Sequence, residues 1–278
     1  MQSQIGKTTS PLNFTQQTNV MGILNVTPDS FSDGGKFNEV DEAVKQAKLM
    51  EDHGAHMIDV GGESTRPGHT PVSFEEEIER VVPIIKGLNQ VIDTPISVDT
   101  YKAKTAEAAL SAGASMINDI WGAKYDPEIA AVAKSHHAPI ILMHNQDEPD
   151  YDDIIDDMKS SLYESINIAK QHGVSDHQII LDPGVGFGKT HQHNLLVMRR
   201  LDELKALGYP ILLGTSRKSI VGKALDLPVD ERLAGTIATV CQGIAQGADI
   251  VRVHDVEEVA RATKMMDVMI GKGGLKRG

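Results

Sequence analysis

Short runs of apolar residues recur along the chain. Each is followed by a longer stretch in which apolar positions return every third or fourth residue. The runs are VMGILNV (20–26), HMIDV (56–60), PISVD (95–99), SMIND (115–119), PIILMH (139–144), QIILD (178–182), PILLG (210–214) and DIVRV (249–253). Their length and their Ile, Val and Leu content predict strands buried on both faces. Among the longer stretches, EVDEAVKQAKLMEDHG (39–54) ends on Gly54, suited to a helix C-cap. SFEEEIERVVPIIKGL (73–88) opens with Ser73 and has Glu76 three residues on, a capping-box pattern. KAKTAEAALSAG (102–113) ends on Gly113, and DDIIDDMKSSLYESINIAKQHG (152–173) places acids in its first turn, where they suit the helix dipole. DERLAGTIATVCQGIAQG (230–247) and DVEEVARATKMMDVMI (255–270) complete the set.

Regular alternation of strand and helix predicts an α/β fold with a parallel sheet. Eight units in 278 residues predict a single (β/α)8 TIM barrel over 1–278, with short frayed tails such as GKGGLKRG at the C-terminus. A doubly wound sheet is the alternative. It is disfavoured because no glycine-rich nucleotide turn follows the first strand.

Charge narrows the class. A formal net charge of −12 argues against non-specific binding to nucleic acid or to a membrane surface. An anionic substrate would need positive charge gathered in one place. The single cysteine, Cys241, allows no disulfide within the chain and fits a reducing, cytoplasmic setting, where it reads as a small core residue. MQSQIGKTTSPLNFTQQ has no apolar h-region of a signal peptide, and no apolar run reaches transmembrane length. The sequons at Asn13 and Asn25 therefore read as chance matches.

In a barrel of this kind, chemistry sits at the C-terminal ends of the strands. Those ends carry Asn25, Asp59, Asp99, Asn118-Asp119, Met143-His144, Asp182 with Phe187 beyond it, Gly214 with Lys218 beyond it, and Arg252-Val253-His254. Strand-end Asp and Asn also cap helices and close turns, but polar residues at nearly every end in register point to a site. Asp99, Asn118, Asp182 and Lys218 supply acceptors, an amide and a cation, suited to a flat heterocycle rich in N–H and C=O groups. Arg66, Arg252 and His254 suit an anion, and Asn25 offers an oxygen to a hard cation such as Mg2+.

LDPGVGFGKT (181–190) ends like a phosphate-binding P-loop, but Pro183 stands where that motif needs its first glycine. The P-loop reading fails there. Lys189 and Thr190 instead read as the start of the next helix. Lys189→Ala is then expected to leave activity almost intact.

MGILNVTPDSFSDGG (21–35) and GAHMIDVGGESTRPG (54–68), with SVDTYKA, INDI, LDPGVGFGKT, TSRKS and RVHDV, resemble the signature blocks of the dihydropteroate synthases over essentially the whole barrel. The resemblance implies condensation of 6-hydroxymethyl-7,8-dihydropterin diphosphate with p-aminobenzoate, by S_N1-like cleavage of the C–O bond. It implies that Asp99, Asn118, Asp182 and Lys218 hold the pterin, with Phe187 packed on the ring and Met143, Gly214 and Val253 also on the substrate. Asn25, Thr65, Arg66, Arg252 and His254 would hold the diphosphate, with Mg2+ on the Asn25 side. Phe31, Thr65, Pro67, Lys218 and Ser219 would frame p-aminobenzoate, and Lys218, Asp99 and Asp33 would be catalytic. It further implies a homodimer, with Met265, Met266 and Met269 in the core or at the subunit contact, and a site open to sulfonamides.

Three other readings stay in view. A folate-dependent methyltransferase on the same fold has no use for TSRKS or the long first loop. A Schiff-base aldolase on Lys218 predicts trapping by borohydride. A non-catalytic pterin-binding relative would have lost anion or loop residues that are present here. His144, His136 and His137 read as structural, Trp121 as lining the pocket mouth or packing beside it, and DEPDYDDIIDD as a solvated helix start.

Overall fold

The computed structural model of the protein describes residues 14–27, 35–64 and 71–273. Eight parallel strands run in chain order: β1 (Asn19–Asn25), β2 (Met57–Gly61), β3 (Ile96–Asp99), β4 (Met116–Asp119), β5 (Ile140–Met143), β6 (Ile179–Asp182), β7 (Leu212–Leu213) and β8 (Ile250–Val253). Neighbours pair in the order β6-β5-β4-β3-β2-β1-β8-β7, and a parallel bridge between Leu181 and Ile211 joins β6 to β7. The sheet therefore closes on itself as the (β/α)8 barrel expected from the alternation.

Helices separate the strands: α1 (Gly35–Asp52), α2 (Phe74–Val91), α3 (Ala103–Ala112), α4 (Glu128–Ser135), α5 (Ile154–Gln171), α6 (His191–Arg199), α7 (Leu201–Lys205), α8 (Ser219–Leu225), α9 (Leu233–Ala245) and α10 (Val256–Ile270). Their ends follow local chemistry. Ser73 Oγ accepts the Glu76 N–H at the start of α2, and Asp153 accepts those of Ile155 and Asp156 at the start of α5. Glu76 does not complete the capping box; its carboxylate pairs with Arg80 one turn on. Gly113 closes α3 in the left-handed conformation at φ 116°. No described helix is long and apolar enough to cross a membrane.

Because side chains alternate across a strand, the barrel separates two populations. Outward residues such as Leu24, Val60, Val98, Ile117, Leu142, Leu181, Leu213 and Val251 pack against the helices. Inward residues Met21, Met57, Met116, Ile141, Ile180, Leu212 and Ile250 form an apolar layer within the barrel, with Phe14 against it. Nearer the C-terminal mouth, the inward positions of five strands are polar: Asp59 on β2, Asp99 on β3, Asn118 on β4, Asp182 on β6 and Arg252 on β8.

Candidate active site

A buried carboxylate and a guanidinium organise the polar layer. Asp59 is fully buried on β2, and its Oδ2 accepts from Arg252 Nε at 2.6 Å and from Asn118 Nδ2 at 2.9 Å. Arg252, on β8, also donates through Nη2 to Asp99 Oδ2 on β3 at 2.7 Å. Two carboxylates thus share one guanidinium. Burial pushes Asp99 up to about 7; the charges of Asp59, Glu77 and Asp119 add to this, and Arg252 opposes it. Burial disfavours the Arg252 charge, but the two carboxylates outweigh it and hold that charge firmly. Among the described residues, Asp59 Oδ1 has no partner, and neither has the hydroxyl of Ser97, the neighbouring inward residue on β3.

The other wall comes from β6, β7 and the turns after them. Asp182 accepts the Gly184 N–H through Oδ1 at 2.7 Å, which fixes the plane of its carboxylate. Burial raises its pKa, against the pull of Lys218, Arg252 and Lys189. The loop beyond turns on three glycines with positive φ, of which Gly184 is the tightest: a β-carbon there would lie 2.0 Å from the His144 carbonyl oxygen. Lys218 reaches back across the mouth. Its ammonium donates to Val185 O at 2.6 Å and lies 4.7 Å from the centre of the Phe187 ring. Burial lowers Lys218 to about 8, with Asp182 and Asp99 opposing that shift and Arg252 adding to it.

The turn carrying Lys218 is braced. Arg217 adopts φ 57°, unusual for a residue with a side chain, and its guanidinium forks onto Asp255 while Arg232 donates to its carbonyl at 3.0 Å. Ser216 Oγ accepts the His254 N–H at 3.1 Å and lies 3.0 Å from its Nδ1, placing His254 at the rim.

Asp99, Asn118, Asp182, Lys218, Phe187, Arg252 and His254 thus converge on one mouth. Met143 lies there too, packed with Tyr101 and Ile120 and flanked by Trp121 and Phe187. A β-carbon at Gly214 would lie 3.7 Å from Lys218 Nζ and 3.9 Å from Arg252 Cβ, and Ser219 is exposed at the start of α8. The Val253 side chain faces the helices, within the outer core, rather than the mouth. Phe31, Asp33, Thr65, Arg66 and Pro67 lie outside the described residues.

Asn25 ends β1 with an exposed side chain. A β-carbon at Gly61 would meet Asn25 Oδ1 and Asp99 Oδ2, each at 3.7 Å, so the missing side chain keeps a gap between them open. No cluster of three or more His, Cys, Asp or Glu among the described residues could hold a metal by itself. A lone amide oxygen beside a place for an anion fits Mg2+, which keeps waters and takes oxygens from substrate phosphates.

The model of the pterin-binding enzymes matches residues 21–254. The chain is 58% identical over 269 residues to the dihydropteroate synthase of Bacillus subtilis, covering 97% of this chain and 94% of that one. It is 59% identical over 259 residues to the enzyme of Clostridium beijerinckii, covering 93% and 96%. The chain belongs to the dihydropteroate synthases. Among solved dihydropteroate synthases, that of Clostridium difficile in the presence of pteroic acid superposes with a TM-score of 0.91 at 55% identity, covering 92% of this chain and 98% of that one. The Yersinia pestis synthase in a sulfonamide drug complex gives 0.87 at 41% identity, covering 93% and 96%.

In the structure, two residues take places that their position in the sequence does not by itself assign. Asp59 was visible only as one more polar strand residue; its inward parity with Asp99 and Asn118 is the signal that singles it out. Lys189 was read as a helix start. Thr190 does cap α6, accepting the His193 N–H at 3.1 Å. The Lys189 side chain instead turns back into the loop, donating to His144 Nδ1 at 2.8 Å and to Gly184 O and Phe187 O at 3.0 Å each.

Proposed function

We propose that the site performs its family's reaction: 6-hydroxymethyl-7,8-dihydropterin diphosphate and p-aminobenzoate condense to 7,8-dihydropteroate and pyrophosphate. The observation that carries this reading is the ring of Asp99, Asn118, Asp182, Lys218 and Arg252 around one mouth, with Phe187 beside it.

Asp182 accepts N–H groups from the amino-pyrimidine edge, and Asn118 and Asp99 meet the remaining ring nitrogens. Lys218 and Phe187 lie along the ring. Arg252 and His254 at the rim, with Arg66, Thr65 and Asn25, receive the diphosphate. Asn25 would help hold Mg2+, which would neutralise charge on the leaving group. As the C–O bond breaks, the electron pair leaves with the diphosphate and positive charge grows on the exocyclic carbon. The carboxylates of Asp99 and Asp182 favour that charge. The arylamine, neutral near pH 7, attacks the carbon and then loses a proton; Asp33 orients it. Phe31, Pro67, Lys218 and Ser219 frame its ring.

Binding is proposed to be ordered, the anion giving Arg66 a charged partner before the p-aminobenzoate pocket is complete. Sulfonamide titrated with and without pyrophosphate, Mg2+ and a pterin tests this; equal affinities would overturn it. A cytoplasmic homodimer is part of the proposal. Met265, Val268 and Met269, exposed along α10, support a subunit contact there, and sedimentation of a Met269→Glu variant checks it. The reaction is tested by pyrophosphate release that requires both substrates. Release without p-aminobenzoate, or none with both present, would overturn it.

A further inference from the structure

We propose that Lys189 is a positioning residue for this reaction: its ammonium pins the glycine-rich loop after β6 from behind, so that Phe187 and Lys218 stay aligned on the ring site. The proposal rests on the pterin reading above and reverses the expectation that Lys189 is dispensable.

Residues 183–188 form no regular structure, and three glycines in left-handed conformations give the segment little stiffness of its own. Three carbonyls in it point at two ammonium groups. Gly184 O and Phe187 O accept from Lys189, and Val185 O accepts from Lys218 on the opposite side. The loop is thus gripped between two lysines. The third Lys189 donor goes to Nδ1 of His144, whose backbone N–H donates to the Asp182 carbonyl at 2.9 Å.

Burial lowers Lys189 to about 7, with Asp182 opposing that shift and Lys218 adding to it; in its ammonium form it has three donors and no acceptor, and all three are spent inside the protein. This is a second reason, independent of Pro183, why the GKT sequence is no phosphate site. The same bond fixes His144 as the tautomer with its proton on Nε2. Burial, with the charges of Lys189 and Lys124, holds this histidine unprotonated down to about 2. Lys189, with Lys218 and Arg252, opposes the rise that burial imposes on the Asp182 pKa. The one side chain therefore sets the loop's shape and steadies the charge of the group that would read the pterin.

The experiment compares wild type with Lys189→Met, which keeps the stem and removes the charge and the donors, and with Lys45→Met as a control at an exposed lysine on α1, paired with Glu42. KM and kcat for each substrate, the pH profile, and calorimetric binding of a pterin are measured. In Lys189→Met, KM for the pterin diphosphate rises about tenfold to a hundredfold, the range for leaving buried acceptors without donors. KM for p-aminobenzoate at saturating pterin diphosphate stays within about threefold of wild type, because the added loss falls on the ring site. The acid limb for pterin binding moves to higher pH, because Asp182 has lost a stabilising charge. Trp121, the only tryptophan, packs on the same Tyr101, Ile120 and Met143 cluster as Phe187 and reports the loosened loop by its fluorescence.

Pterin affinity and acid limb unchanged in Lys189→Met would overturn the proposal. So would an equal loss for both substrates with an unmoved acid limb, which is the mark of general destabilisation. If no variant folds, 15N-histidine spectra of the wild type decide: His144 titrating between about pH 5 and 8 would overturn the assignment. If wild type makes no dihydropteroate, the reaction reading fails, while pterin binding still judges Lys189.

Discussion

Replacing Asp59 with alanine tests whether the polar layer is built as described. The change removes a fully buried carboxylate that accepts from Arg252 and Asn118. Breaking a buried pair by deleting one partner costs about 3–5 kcal/mol. Arg252 keeps Asp99, so the lower end applies, about 3 kcal/mol. At about 2–4 °C per kcal/mol for a large domain, Tm falls by about 6–12 °C. Asp59→Asn keeps a carbonyl acceptor and loses about half as much. A second consequence separates this account from simple cavity damage. The Asp59 charge helps hold the Asp99 carboxyl up, so both variants let Asp99 ionise at lower pH, and the acid limb of pterin binding moves down. Calorimetric unfolding and pterin titration across pH read both effects. Variants melting within about 1 °C of wild type, with an unmoved limb, would refute the reasoning.

Asp182→Asn turns an amide donor toward ligand donors and lowers pterin affinity by about 1–3 kcal/mol, or about fivefold to 150-fold, read by calorimetry. Asp99 gives a pH dependence of known sign. Its pKa in the folded protein is raised above the unfolded value, so its contribution to stability is fully present below 3.8 and is lost as pH rises through about 7. A ligand that needs its carboxylate binds about tenfold more weakly per pH unit below about 7 and releases a proton on binding; titrations in buffers of different ionisation enthalpy count that proton. Gly184→Ala places a β-carbon 2.0 Å from the His144 carbonyl oxygen at φ +64°, so both Tm and pterin affinity fall. Unchanged values would mean that the loop adapts freely.

The barrel was legible because its signal is periodic: buried parallel strands read as apolar runs, and the helices between them as amphipathic stretches. The short helices α4, α6, α7 and α8 lack the length to show such a period, and β7 shrinks to Leu212–Leu213 inside a longer apolar run. At the site, residues whose chemistry faces the mouth were legible from strand ends. Asp59 was legible as a strand-end carboxylate but not as the partner of Arg252 and Asn118. Lys189 and Tyr151, whose hydroxyl donates to Gly188 O at 2.8 Å, were not legible at all. All three act on other residues of the chain, and a sequence does not show which partner a side chain folds back to meet. Val253 shows the converse: Arg252 before it on β8 and His254 just beyond the strand face the mouth, and the alternation sends the Val253 side chain the other way.

The methionines beneath the charged layer give the pocket walls of unequal stiffness. Met21, Met57 and Met116 are unbranched and polarisable, and they underlie a rim locked by ion pairs. A ligand altered along its polar edge meets groups that cannot move without losing a charged partner, so recognition there is strict. A ligand thickened toward the barrel's interior meets side chains that re-pack by rotation about single bonds. Inhibitor series built on this scaffold should therefore tolerate added bulk in depth far better than any change to the hydrogen-bonding perimeter.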